Sequence, residues 1–270
     1  MMKKLTIVKS TLALAVLSMV FSACSLVDPI CIDATGPVEA DTLALASFTK
    51  IDSRDVANVY LRSGATQEII VEGEQEVLDA AEVRVDNGTL IVEIDGCFRG
   101  NMTFDVFVTV PPAQALEKVE VSGASDLETQ DSMAIADGFE FRVSGAGDAD
   151  FVALNPVQLA TVKISGSGNA DLVLSADDLE TDISGSGDMK LKGSGTSFTA
   201  DISGSGDLKS YNYQSVDVSV KASGAGDAEV FVNGGILDVT ISGASTVLYK
   251  GTPSSVNSNI SGAGSLIDAN

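Results

Sequence analysis

The chain has 270 residues, with 16 Lys+Arg against 38 Asp+Glu, no His, no Trp and a formal net charge of −22. That balance excludes ordinary nucleic-acid binding, which depends on clustered Lys/Arg releasing counterions, and argues against docking on anionic lipid through surface charge. The lack of His removes Ser-His and Cys-His triads and His-ligated zinc, while 44% hydrophobic residues and a mean hydropathy of +0.24 are too apolar for disorder.

Residues 1–23 read as a lipoprotein signal peptide. Lys3, Lys4 and Lys9 form a basic start, and Thr11 to Phe21 is an apolar stretch. It falls short of the ~20 apolar residues that span a bilayer, so it stands outside the fold. It ends in Phe21-Ser22-Ala23-Cys24, which resembles a bacterial lipobox, with Phe21 where Leu is usual. Cleavage before Cys24 would leave that thiol carrying a diacylglyceryl group, and each buried CH₂ contributes about 0.8 kcal/mol to membrane anchoring. Ordinary secretory cleavage nearby is the alternative. Residues 24–44 read as a tether. Export to an oxidising compartment leaves Cys31 and Cys97 as an even pair, which suggests one disulfide. A two-thiol metal site is the rival reading, and it is poor without His.

Residues 45–118 read as a β-rich section continuous with the repeats of residues 119–270. Phe48 to Ile51, Val56 to Leu61, Glu68 to Glu72, Val83 to Val85, Thr89 to Ile94 and Thr103 to Val110 are strand-like. Asp86-Asn87-Gly88 is a hairpin signal, and only Glu74 to Ala81 could form a short helix. Pro111-Pro112 interrupts the chain before the repeats.

In residues 119–270, Ser-Gly-(Ala/Ser)-(Gly/Ser)-Xaa begins at Ser122, Ser144, Ser165, Ser184, Ser203, Ser223, Ser242 and Ser261, at spacings of 19–22 residues. The residue before each Ser is apolar: Val121, Val143, Ile164, Ile183, Ile202, Ala222, Ile241 and Ile260. The residue before that is polar in every copy, from Glu120 and Arg142 to Asn259. Ala149, Ala170, Met189, Leu208 and Ala228 are expected to face inward after the motif. A further apolar row recurs 14–15 positions past the Ser, at Leu159, Leu179, Phe198, Leu237 and Val256, with Val216 falling one earlier. Alternation without helical period gives about three short strands per repeat, and one rung cannot bury its own apolar row. The expected fold is therefore all-β: a parallel β-helix of about eight rungs, right-handed by strand twist and crossover chirality. The corner glycines Gly145, Gly166, Gly185, Gly204, Gly224, Gly243 and Gly262 are expected to supply positive φ, with the following Asp closing the turn.

These residues resemble the family described as "putative auto-transporter adhesin, head GIN domain", common among lipoproteins of Bacteroidetes-type bacteria. The resemblance covers about residues 45–265. It rests on Phe48-Thr49-Lys50-Ile51, Val59-Tyr60-Leu61-Arg62-Ser63-Gly64, Asn87-Gly88-Thr89-Leu90-Ile91-Val92 and the serial Ser-Gly-Ser-Gly-Asp corners. It implies a β-helical envelope protein and carries over no catalytic residue.

Residue types in the repeats bear on three chemistries. The acidic ladder Asp126, Asp148, Asn169, Asp188, Asp207, Asp227 could hold Ca²⁺, with Asp148, Asp188, Asp207 and Asp227 as the candidates. One Asp per layer favours turn capping instead. A glycan lyase or hydrolase needs paired carboxylates or a base beside Arg or Lys. Here Arg is confined to Arg54, Arg62, Arg84, Arg99 and Arg142, and Tyr211, Tyr213, Tyr249 and Phe231 are the repeat-side aromatics that could serve for sugar stacking, though core or corner packing explains them as well. Lys190, Lys192 and Lys209 read as an outward face balancing acids, or as a patch for an anionic glycan. A phosphate-loop reading of Gly168, Gly187 and Gly206 fails, because no GK[ST] or helix comes after them. The expectation is an exported outer-membrane lipoprotein, surface-exposed or periplasm-facing. It would be a non-enzymatic, adhesin-like module without a required cofactor, and would meet an unidentified protein or glycan. Self-association through the C-terminal rung is a further expectation.

Overall fold

The computed structural model describes residues 31–270. Residues 1–23, read from sequence as a signal peptide, and Cys24 lie outside the described residues. Two parallel ladders run along a β-solenoid. The first stacks Thr89–Ile94, Lys50–Ser53, Leu116–Val121, Ile135–Val143, Val157–Ile164 and Ala176–Ile183. It continues through the second halves of Met189–Ile202 and Leu208–Ala222 to Ile236–Ile241 and Ser255–Ile260. The second ladder stacks Phe104–Val110, Asn58–Ser63, Asp126–Thr129, Ala149–Val152 and Ala170–Val173. The first halves of the two long strands come next, then Ala228–Val232, Thr246–Gly251 and Ser265–Asp268. Each Ser-Gly motif is the corner between the two ladders. Two ladders replace the three short strands per repeat expected from sequence. A third stretch joins in most fully where Lys192–Gly195 pairs with Asn212–Ser215, which merges its neighbours into the long strands, and elsewhere through single pairs such as Met133 with Ala153.

The order of layers at the amino end departs from chain order. The layer 50–63 lies between layer 89–110 on one side and layer 116–129 on the other. The chain thus lays down an inner coil, adds an outer one, and crosses back to start the repeats. Antiparallel strands finish this end. Glu68–Gly73 pairs with Phe104–Val110, Glu39–Leu43 pairs with Glu68–Gly73, and Ala81–Asp86 pairs with Thr89–Ile94. The stretch Glu39–Leu43, read from sequence as tether, is therefore part of the sheet. Asn87 and Gly88 both take positive φ, at 49° and 75°, as a two-residue hairpin turn requires. Helix Gln75–Ala80 sits where the sequence allowed one, with Val77 fully buried.

The core is the pair of inward rows. Val121, Val143, Ile164, Ile183, Ile202, Ala222 and Ile241 are buried on one side, and Ala149, Ala170, Met189, Leu208 and Ala228 on the other. The third inward row differs from that recurring apolar row. Leu179, Phe198 and Leu237 are buried, but Leu159 is 42% exposed and Val216 40%; Ala160 and Val218 take the core positions, in register with Leu179 and Leu237. Phe151 fills the centre of layer 135–152, with ring centroids 5.3 Å from Phe139 and 5.4 Å from Phe141. Such clusters bury the largest apolar areas per residue.

The corner glycines have a different physical cause from the expected one. Of the seven named from sequence, only Gly262 has positive φ, at 125°. At Gly166, Gly185 and Gly204 a Cβ would lie 1.9 Å from the carbonyl oxygen of the corner glycine one coil earlier. That carbonyl is already engaged: Gly145 O accepts the Ser167 N–H and Gly166 O accepts the Ser186 N–H, each at 2.9 Å. Close backbone stacking, rather than left-handed conformation, is what excludes a side chain.

Candidate binding face

The strands that come after the corners project one row of side chains outward. By ladder register this row runs Phe107, Tyr60, Glu128, Asp150, Asp171, Lys190, Lys209, Glu229. The corner acids lie beside it. Each hands its Oδ1 to the next coil. Asp126 accepts the Asp148 N–H at 2.7 Å and Asp148 the Asn169 N–H at 2.9 Å. Asn169 then accepts the Asp188 N–H, Asp188 the Asp207 N–H, and Asp207 the Asp227 N–H. Asp227 ends the series by accepting the Thr246 N–H at 2.6 Å. The ladder is a capping device, but it bridges successive coils instead of closing its own turn. Charge-assisted bonds of this kind are short and comparatively strong.

The Ca²⁺ candidates Asp148, Asp188, Asp207 and Asp227 are consequently strung along the stack, each with one oxygen committed to a backbone N–H. Among the described residues, no three Asp, Glu or Cys side chains converge as metal ligands. Two of the three lysines are engaged as well. Lys192 Nζ donates to Asp171 at 3.0 Å and Lys209 Nζ to Asp188 at 2.9 Å. Partial burial works against the charge of Asp188, but the Asp207 N–H and the Lys209 and Lys190 ammoniums outweigh it and hold this carboxyl below its ordinary value.

Two shallow troughs open along the face and share Asp148 and Asp150. One, of about 410 Å³, is lined by Asn58, Tyr60, Asp126 and Glu128. The other, of about 420 Å³, runs on past Asp171 and Asp188 to Lys190 and Lys209. Tyr60 stacks on Phe107 with centroids 4.9 Å apart, and the Arg62 guanidinium lies 4.2 Å from the Phe107 centroid. Partial burial, then the carboxylates of Asp105, Glu128 and Asp126, push the Tyr60 hydroxyl up. Sequence reasoning missed this aromatic step. Tyr60 and Phe107 meet only because layer 89–110 stacks outside layer 50–63, and the sole trace was Phe107 at a polar-facing position of an alternating strand.

On the other ladder, Lys50, Lys118, Glu117, Glu120 and Glu140 line a mixed-charge trough of about 530 Å³. Next to it Arg54 donates to Asp52 and Glu93, and Arg84 to Glu82 and Glu93. Of the repeat-side aromatics suited to sugar stacking, Tyr213 is fully buried and donates its hydroxyl to Ala176 O at 3.1 Å. Burial pushes that hydroxyl up to about 12. Tyr211 lies beneath Lys250 Nζ, 4.3 Å from the ring centroid. Cys31 and Cys97 are joined as a disulfide beside the short parallel pair Ile32–Asp33 and Phe98–Arg99.

Comparison with known proteins gives the same architecture. No curated protein matches the chain. A "putative adhesin" from Parabacteroides merdae is similar at 19% identity and TM-score 0.77, over 88% of this chain and 99% of that one. A "putative adhesin" from Parabacteroides distasonis is 22% identical with TM-score 0.77, over 87% and 98%. A "putative lipid binding protein" from the same species is 18% identical with TM-score 0.76, over 88% and 99%. At these identities the likeness is one of fold. Residues 47–253 match the family described as "Putative auto-transporter adhesin, head GIN domain", and the chain belongs to that family.

Proposed function

We propose that the chain is a non-enzymatic, adhesin-like module of the bacterial envelope, held to the outer membrane by lipid on Cys24, whose polar face meets a protein or glycan partner. The observation that carries this reading is the committed state of the face. Its corner carboxylates serve as rung-to-rung acceptors, Lys209 pairs with the corner acid Asp188 and Lys192 with Asp171 of the outward row, leaving a regular, open surface. A general acid of a glycosidase needs a carboxyl held above its ordinary value. On this face the Asp188 carboxyl is displaced downward instead. Family membership and the names of the similar structures support binding over catalysis.

Protease treatment of intact cells, with a known periplasmic lipoprotein as the protected control, tests the placement. Loss of the coils 116–268 from intact cells is the expected result. Protection until the envelope is permeabilised would overturn the adhesin-like reading and leave a periplasm-facing structural role.

A further inference from the structure

The two ends of the solenoid are finished differently. At the amino end, the antiparallel strands Glu39–Leu43 and Ala81–Asp86 and the helix Gln75–Ala80 close over the core. Both strands carry acids, Glu39 and Asp41 on one, Glu82 and Asp86 on the other. Charged edges of this kind discourage pairing with another chain. The opposite end has no such cover among the described residues. Its last coil, Ser255–Ile260 and Ser265–Asp268, pairs on one side only. Core-row positions stay open there. Val256 is 41% exposed and Ile260 42%, whereas Leu237 and Ile241, their counterparts one coil earlier, are fully buried.

This edge also lacks the usual protection. Its two strands hold one charged side chain, Asp268, and no Lys, Pro or bulge. In a chain of net charge −22, two copies repel almost everywhere else. The near-neutral end is where a second copy meets neither like charge nor a blocked edge.

We propose that two copies of this chain associate end to end through coil 255–268, related by a twofold axis. A twofold arrangement sets Ser255–Ile260 antiparallel to its own copy, so each edge satisfies the other and Val256, Ile260 and Leu266 of both copies close one continuous core. The contact is isologous, so it stops at a dimer. The charged, closed amino end denies the head-to-tail stacking that would build a filament. One coil face measures roughly 20 by 20 Å from strand rise and sheet spacing. An interface that small belongs to the weak, concentration-dependent class.

Sedimentation velocity of the purified chain from about 1 to 200 μM tests this, because affinity in the weak class places the transition within that range. The expected result is a monomer that becomes a dimer with rising concentration. The dimer should strengthen as salt screens the net charge. Ser258→Lys, in the core row between Val256 and Ile260 and in register with buried Val239, should hold the chain monomeric. Hydrogen exchange on the unaltered chain gives a second readout that needs no variant. Amides of 255–268 should gain protection with concentration while those of 39–43 and 81–86 do not. A monomer throughout, assemblies beyond a dimer, or a dimer with no added protection at 255–268 would overturn the proposal.

Discussion

At the scale of single residues, close packing of backbone on backbone governs what the repeat tolerates. A Cβ at Gly166 would lie 1.9 Å from Gly145 O, and the carbonyl cannot swing away because it holds the Ser167 N–H. Gly166→Ala is therefore expected to cost at least the ~1–3 kcal/mol of overpacking, read as a lowered urea midpoint. Gly234→Ala is the control: its φ is 89° and nothing stands within 4 Å of the added carbon, so the cost is conformational, about 1 kcal/mol. Equal losses would show that conformation, not contact, selects glycine at the corners. The ionic residues make a second prediction. The Arg84 and Arg54 guanidiniums hold the Glu93 carboxyl below its ordinary 4.5, and the Thr103 N–H does the same for Glu74. Both carboxyls bind protons less readily folded than unfolded, so their stabilisation is present above about pH 4.5 and lost as pH falls through the lower folded values. Urea midpoints should fall below that point in the native chain, and fall less in Glu93→Gln. The difference between the two isolates this effect from relief of the net negative charge. Parallel pH profiles would contradict it.

At the scale of elements, the stack is legible in sequence wherever one residue marks the register, and obscure where two compete. The apolar residue before each Ser lands in the core in seven of the eight coils, with Ile260 of the uncovered last coil as the exception. Leu159 and Val216 mislead because Ala160 and Val218 are also apolar. A one-residue slip moves a strand's side chains to the other face, and the register is settled only by the partners Leu179 and Leu237. The strands of the amino section are visible from their alternation and from the Asn87-Gly88 turn. Their layer order is not, since sequential elements usually lie side by side and here layer 89–110 stacks outside layer 50–63. Within the stack, Phe151 is the centre of the largest aromatic cluster, flanked by Phe139 and Phe141. Phe151→Ala should cost about 3–5 kcal/mol in denaturant unfolding, because neighbouring coils tied by ladder hydrogen bonds cannot collapse into the void. A loss below about 1 kcal/mol would mean that the coils adjust independently, against the stacked description.

At the scale of the whole molecule, ten layers of the described residues at sheet spacing make a stack about 45 Å long, with antiparallel strands covering its amino end. The acids that dominate the composition become ordered rows, joined to the next coil by backbone N–H groups or balanced by nearby lysines. The corner acids were legible as a ladder in the sequence. Their partners were not, because a repeat cannot reveal whether a side chain bonds within its own turn or to the next. The aromatic step of Tyr60 and Phe107 was hidden by the same inversion of layers that creates it. In the adhesin-like reading, this face holds a partner and leaves it chemically unchanged. Its most direct test is an array of bacterial polysaccharides, mucin glycans and matrix proteins probed with the purified chain, alongside a Glu128→Ala, Asp150→Ala, Asp171→Ala variant. The expected result is reversible retention on at least one arrayed surface, weakened in the variant, with the bound material recovered at unchanged mass. No retention anywhere, or recovery of cleaved glycan, would contradict it.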